Sequence, residues 1–363
     1  MLSLNSANVR YKIVFPMKTF FLNSKNKLLS NLPLVFFFLL GVGLGGALVW
    51  AFGDDWFNND TETPKNFEIR AGGYGYRYIN PLLECEIAAD KTKWKELTPF
   101  KHKVQKLTDD KINSKKATHI SVYFRDLNNG PYFGINENEE FSPASLLKVP
   151  LLITYLKLAE ADPQLLGRKI KNDKKDDLNS IENIMGSKAI EKGKTYTIEE
   201  LLYMMIVYSD NNAKDLVLGN IDARLLNVPF IDLGIEIPGV RKQEDFMSVK
   251  AYASFFRVLF NASYLNREMS EKALGYLTLV EFRKGLVAGV PSNVTVAHKF
   301  GERRIIGDKD VKELHDCGII YYPNYPYLLC VMTRGSDFGD LIDNVKDISY
   351  RVYEEVYHQH QNK

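Results

Sequence analysis

The sequence predicts an α+β fold, in which both ends of one domain contribute strands to an antiparallel sheet, a mostly helical block is inserted between them, and one transmembrane helix comes first. Three observations carry that prediction. Residues 28–53 hold no charged side chain. Strand-like alternation is confined to two places, around His119–Ile135 and beyond Val294, while helical periodicity fills most of the interval between. An apolar fraction of 45% and a charged fraction of 25% are ordinary for a globular domain, and 363 residues can bury a large core.

In chain order, residues 1–31 carry Arg10, Lys12, Lys18, Lys25 and Lys27 and no acidic residue. Residues 32–53 form a run long enough to span a bilayer, and Asp54 and Asp55 follow it. The charge asymmetry puts the N-terminus in the cytoplasm and the remainder outside the cell membrane. Val49-Trp50-Ala51 resembles a cleavage site, but the apolar stretch is long for a signal peptide, so a single uncleaved anchor is expected. Residues 54–90 read as a polar tether and entry segment, and 91–363 as the folded domain.

Within that domain, Trp94–Lys116 places Leu97, Phe100, Val104 and Leu107 on one helical stripe. His119–Phe124 alternates as a strand, Asn129-Gly130 signals a hairpin, and Tyr132–Ile135 returns. A helix starts near Ser145 and continues apolar through Leu158. Residues 160–195 are polar and lysine-rich, with helical pieces and long loops expected. Thr197-Ile198-Glu199-Glu200 is a capping box that opens a helix ending near Tyr208. Further helices are expected over 212–220, 248–262 and 268–283. A strand begins at Val294–His298, Cys317–Tyr322 and Tyr327–Thr333 make a hairpin, and Asp340–His358 is a final amphipathic helix.

The chemistry gathers around Ser145-x-x-Lys148. A helix starting there sets Lys148 one turn on, on the serine's face. A hydroxyl that attacks a carbonyl needs a proton acceptor, and a buried lysine titrates low enough to serve. Alone the signal is cheap: Ser24-Lys25-Asn26-Lys27 matches it too, and singly Ser145 reads as a helix N-cap and Lys148 as a solvated charge. Two later signals change that. Ser209-Asp210-Asn211 ends an apolar helix, where a loop can present side chains to a cleft, and Lys299-Phe300-Gly301 lies in a strand, where glycine admits close approach.

Together and in this order, from about Ala117 to the C-terminus, these residues resemble the S-x-x-K, S-D-N and K-T-G motifs of class A β-lactamases and penicillin-binding proteins. The resemblance implies Ser145 as acyl-accepting nucleophile and Lys148 as its base. It implies Ser209 as proton relay to the leaving nitrogen and Asn211 as binder of the substrate amide and orienter of Lys148. Lys299 would attract the substrate carboxylate and hold the Lys148 pKa low, while Phe300 and Gly301 would line the substrate strand. The oxyanion hole would be the backbone N–H groups of Ser145 and Glu302.

Two departures stand out. Phe300 replaces the hydroxyl residue of the third motif, with Arg303, Arg304 or Lys309 as candidate carboxylate partners in its stead. In class A enzymes a glutamate between the second and third motifs activates the deacylating water. Here the interval Ile221–Phe246 offers only Glu236 and Glu244, each expected at the surface.

The same residues exclude other classes. The net charge of +2 argues neither way on nucleic acid, but there is no long basic stripe and the lysine-rich patches are mixed with Asp and Glu, so no nucleic-acid partner is expected. Six histidines show no metal-ligand spacing, and no nucleotide-binding glycine motif occurs, so no cofactor is expected. Cys317 and Cys330 flank the turn Pro323–Pro326. Two buried free thiols are the expectation, with a cross-strand disulfide the alternative in an exported domain. The function that the resemblance implies is that of a serine hydrolase that cleaves a β-lactam amide through acyl-Ser145. The alternatives are a D-alanyl-D-alanine peptidase acting on peptidoglycan stem peptides, or a catalytically weak wall-binding domain of the same fold.

Overall fold

Two sets of strands, distant in sequence, meet in one sheet. The structure, a computed structural model, describes residues 68–70, 75–85, 91–128, 130–240, 243–305 and 310–361. The expected span at 32–53 and the basic segment before it lie outside the described residues. Among those described, no helix is long and apolar enough to cross a membrane.

A short hairpin pairs β1 (Glu68–Arg70) with β2 (Leu82–Cys85). Helix α1 (Lys91–Asn113) begins before the predicted Trp94 and buries Leu97, Phe100 and Val104 as its periodicity requires. β3 (His119–Asp126) and β4 (Tyr132–Ile135) form the expected hairpin, with Gly130 in the turn at φ +80°. β5 (Glu140–Phe141) leads to a 3-10 turn at Ala144–Leu147, which runs straight into α2 (Lys148–Ala161). Helix α2 is apolar nearly all round and accordingly sits in the core. Its Pro150 falls in the first turn, where a missing N–H costs nothing.

The polar block at 160–195 differs from expectation. It holds a 3-10 turn at Leu165–Gly167 and a hairpin of β6 (Lys169–Lys171) with β7 (Thr195–Thr197), joined by the segment 172–194. The capping box forms: Glu200 N donates to Thr197 Oγ1 at 3.1 Å and Thr197 N donates to Glu200 Oε2 at 2.7 Å, opening α3 (Ile198–Val207). There follow α4 (Asn211–Leu218), α5 (Ala223–Leu226), α6 (Val228–Asp232), and β8 (Met247–Ser248), which pairs with β5. Helices α7 (Val249–Phe260) and α8 (Arg267–Thr278) come next, the latter ending before the predicted 283.

The last strands are β9 (Val296–Ile305), β10 (Val311–Ile320) and β11 (Tyr327–Gly335), followed by α9 (Phe338–Gln361). The sheet order is β4–β3–β11–β10–β9, antiparallel throughout, so strands from both ends of the domain share one sheet. Neighbouring side chains on a strand face opposite ways. The unbroken buried runs of β10 and β11 therefore mean that both faces are covered. Helices α1 and α9 pack together against β3, β4, β10 and β11; α7 packs on β3, β10 and β11, and α8 on β9.

Register also corrects the expectation of free thiols. Cys317 on β10 stands directly opposite Cys330 on β11, with Cα atoms 4.0 Å apart, and the two are joined as a disulfide.

Candidate active site

The turn carrying Ser145 is held from behind. Ala144 sits at φ +47°, a left-handed conformation that costs a non-glycine residue energy and persists only where its surroundings impose it. Tyr252 Oη donates to Leu146 O at 2.9 Å, and His315 Nε2 to Ser142 O at 3.0 Å. Burial pushes the His315 pKa down to about 4, so its ring is neutral; Nδ1 then accepts from Thr333 N at 3.3 Å. Ser145 is half-buried and lies inside the 3-10 turn, so the N-cap reading fails.

Gly301 belongs to the same support. A Cβ there would lie 2.9 Å from Pro143 O and 3.1 Å from Leu146 N. The close approach expected of it is thus taken up by the serine's own turn, which packs on β9.

Below the turn two lysines converge. Lys148 is 1% exposed, contrary to the solvated-charge reading, and its Nζ donates to Ser209 O at 2.6 Å and Ser209 Oγ at 3.0 Å. Lys299, wholly buried, donates to Ser209 Oγ at 3.0 Å and Phe300 O at 2.8 Å, with Nζ 4.1 Å from the Phe300 ring centroid. Two lysine N–H donors fill both lone pairs of the Ser209 oxygen, which leaves the hydroxyl proton free to be given elsewhere. Ser209 itself is left-handed at φ +56°. Burial first, then the Lys299 charge, holds the Lys148 pKa well below the usual lysine range. Burial brings Lys299 down to about 7, against the opposing pull of Asp316 and Glu182.

Ser145, Lys148, Asn211 and Glu302 line one cavity of about 640 Å³. Ser209 lies behind Lys148 and opens on a smaller adjoining cavity of about 200 Å³. Lys299 is among the lining residues of neither, so it reaches this space through its field and through Ser209 rather than by contact. Phe300 is buried against Phe282, ring centroids 4.4 Å apart, and borders a separate cavity with Arg283 and Lys284.

Asn211 does not reach Lys148 by a hydrogen bond among the described residues. Its Nδ2 donates to Leu178 O at 3.3 Å and to Glu182 Oε1. The segment 172–194 is stapled to the second motif throughout. Asp210 caps α4, accepts from Asn179 Nδ2 at 2.9 Å and from Ile190 N at 2.7 Å, and Asn211 N donates to Asn179 Oδ1 at 2.7 Å. Glu302 joins this clasp with its side chain. It accepts from Asn183 N, from Asn183 Nδ2 at 2.7 Å and from Ile184 N at 2.9 Å.

The alternatives raised by the two departures are engaged elsewhere. Arg303 pairs with Glu244 and Asp245, and Arg304 with Asp310 at 3.0 Å; Lys309 lies outside the described residues. Neither Glu236 nor Glu244 is among the cavity-lining residues. Besides Glu302, a second carboxylate enters the cavity, that of Glu182, for which the sequence offers no signal: it sits in an aperiodic polar block and meets its partners only through long-range folding.

Residues 99–356 match the model of the β-lactamase enzyme family. Among solved structures, the chain is similar to PBP-A, with a TM-score of 0.61 and 20% identity over 72% of this chain and 97% of that one. A β-lactamase from Sphaerobacter thermophilus gives a TM-score of 0.60 and 19% identity over 70% of this chain and 96% of that one. A class A β-lactamase from Mycobacterium abscessus gives 0.58 and 19% over 70% and 99%. At these identities the likeness is one of fold. No curated protein matches the chain.

Proposed function

The chain belongs to the β-lactamase enzyme family, and from that premise we propose that it is a serine hydrolase that forms an acyl-enzyme at Ser145 and opens a β-lactam amide. The observation that carries this reading is the meeting of Lys148 and Lys299 on the Ser209 hydroxyl, each at 3.0 Å, beneath a cavity lined by Ser145. Lys148, its pKa lowered by burial and by the neighbouring Lys299 charge, takes the Ser145 proton as Oγ attacks the carbonyl carbon. The backbone N–H groups of Ser145 and Glu302 receive the oxyanion, a stabilisation worth about 3–4 kcal/mol per donor in other enzymes. As the C–N bond breaks, Ser209 gives its proton to the departing nitrogen and is recharged from the lysines that hold it. Lys299 supplies positive potential toward a substrate carboxylate.

A penicillin-binding peptidase acting on stem peptides is the second reading. One observation favours it: Ala223, Leu226, Phe230 and Pro238 make the 221–246 wall of the cavity mostly apolar, and Asn227, the polar residue among them, carries no carboxylate. Such a wall provides no base for deacylation. The Cys317–Cys330 disulfide supports an oxidising, extracytoplasmic setting, and the uncharged run at 32–53 supports an anchor with the N-terminus in the cytoplasm.

A fluorescent penicillin tests the proposal. The folded protein is expected to label covalently, and Ser145→Ala to abolish labelling. Equal labelling of that variant refutes the nucleophile, and a folded wild type that never labels leaves a binding domain.

A further inference from the structure

Clearing an acyl ester takes a water at the acyl carbon and a group that accepts its proton as the new bond forms. The 221–246 wall of the Ser145 cavity contributes no carboxylate among the described residues. Two carboxylates reach the cavity from elsewhere, Glu302 on β9 and Glu182 in the segment 172–194. They are differently employed. Glu302 is 6% exposed and already accepts three N–H groups from Asn183 and Ile184, with burial pushing its pKa up. Glu182 is half-buried, accepts one N–H from Asn211, and is hydrogen-bonded to Glu302. It lines both the main cavity, with Ser145 and Lys148, and the smaller one that holds Ser209. Glu182 is thus an acceptor fixed from two sides with room for water in front of it.

We propose that Glu182 is the general base that hydrolyses acyl-Ser145, an inference that rests on the acyl-enzyme reading above. Water gives its proton to the Glu182 carboxylate while its oxygen bonds to the acyl carbon, and the carbonyl π pair moves onto the carbonyl oxygen. On collapse that pair re-forms the double bond, the bond between carbon and Ser145 Oγ breaks, and the proton held by Glu182 passes to Oγ. Free serine and a carboxylic acid result, with water as the only co-reactant. The base so placed comes from the segment ahead of the Ser209-Asp210-Asn211 motif, not from the interval after it.

Glu182→Gln tests this, because the amide keeps an oxygen for Asn211 to donate to and loses the ability to take a proton. Both proteins are loaded with fluorescent penicillin and the adduct is followed by intact mass. The variant is expected to label within a few-fold of the wild-type rate and to hold its label about 100-fold longer or more. Hydroxylamine, a stronger nucleophile that needs no base, is expected to discharge both adducts. Clearance of the variant in water at the wild-type rate overturns the proposal, as does a wild-type label that lasts as long as the variant's. Hydroxylamine resistance of the variant alone also overturns it, since the substitution has then closed the cleft. A wild type that does not label at all defeats the acyl-enzyme reading instead.

Discussion

Lys299→Met removes one of two cations that share a hydroxyl, and its effect can be worked from the geometry. Both Nζ atoms stand 3.0 Å from Ser209 Oγ. They are therefore no more than about 6 Å apart, where two unit charges at an effective dielectric of about 20 repel by about 3 kcal/mol, enough to displace a pKa by roughly two. Below about 7 Lys299 carries most of its charge, so a titration of Lys148 in that range feels the full repulsion. Removing the charge raises the Lys148 pKa and leaves less of it neutral at any given pH. The acid limb of the acylation rate is expected to move to higher pH by about two, while the alkaline plateau survives. The assay is the pseudo-first-order rate of penicillin labelling from weakly acid to alkaline pH. A limb that stays in place, or moves down, refutes the Lys299 charge as a contributor, beside burial, to Lys148's depression. Stability follows the same linkage. The unfolded chain holds the Lys299 proton up to the ordinary lysine value of 10.5, whereas the folded chain releases it at about 7. Stability therefore rises with pH across that window and is lost as pH falls through it, and the methionine variant flattens the dependence.

Two substitutions probe the support of the nucleophile turn. Tyr252→Phe leaves Leu146 O without its buried donor and is expected to cost about 1–3 kcal/mol in denaturant unfolding; an unchanged midpoint shows that the bond does not hold the turn. Gly301→Ala sets a methyl 2.9 Å from Pro143 O, at a cost of about 1–3 kcal/mol in stability. It should also slow labelling by about 100-fold through displacement of Ser145, and a variant that labels at the wild-type rate would show that β9 does not set the turn's position.

The parts of the site that are legible in the sequence are those whose information is local. Ser145 and Lys148 belong to one turn and helix start, and the capping box at Thr197 and the alternation of β3 are equally short-range. What is illegible depends on partners far along the chain. Glu182 meets Asn211 and Glu302 only once the 172–194 segment has folded back, and no spacing announces that. The third motif implicates Glu302 through its backbone N–H alone, yet its side chain clasps Asn183 and Ile184. The two cysteines can be placed on a hairpin, but whether they oppose each other depends on a register that one residue of slip would destroy. Arg303 is a reasonable carboxylate partner by composition. It is instead committed to Glu244 and Asp245, a pairing invisible without the fold.

Asp210 ties the rim of the pocket to its floor. One carboxylate both begins the helix that carries Asn211 and grips Asn179 and Ile190 on the overlying segment. Anyone who tries to widen the entrance by shortening or swapping that segment will also disturb the Asn211 amide that lines the cavity. Changes of ligand preference are therefore more readily reached through the apolar wall of Leu226 and Phe230, which lacks this tether.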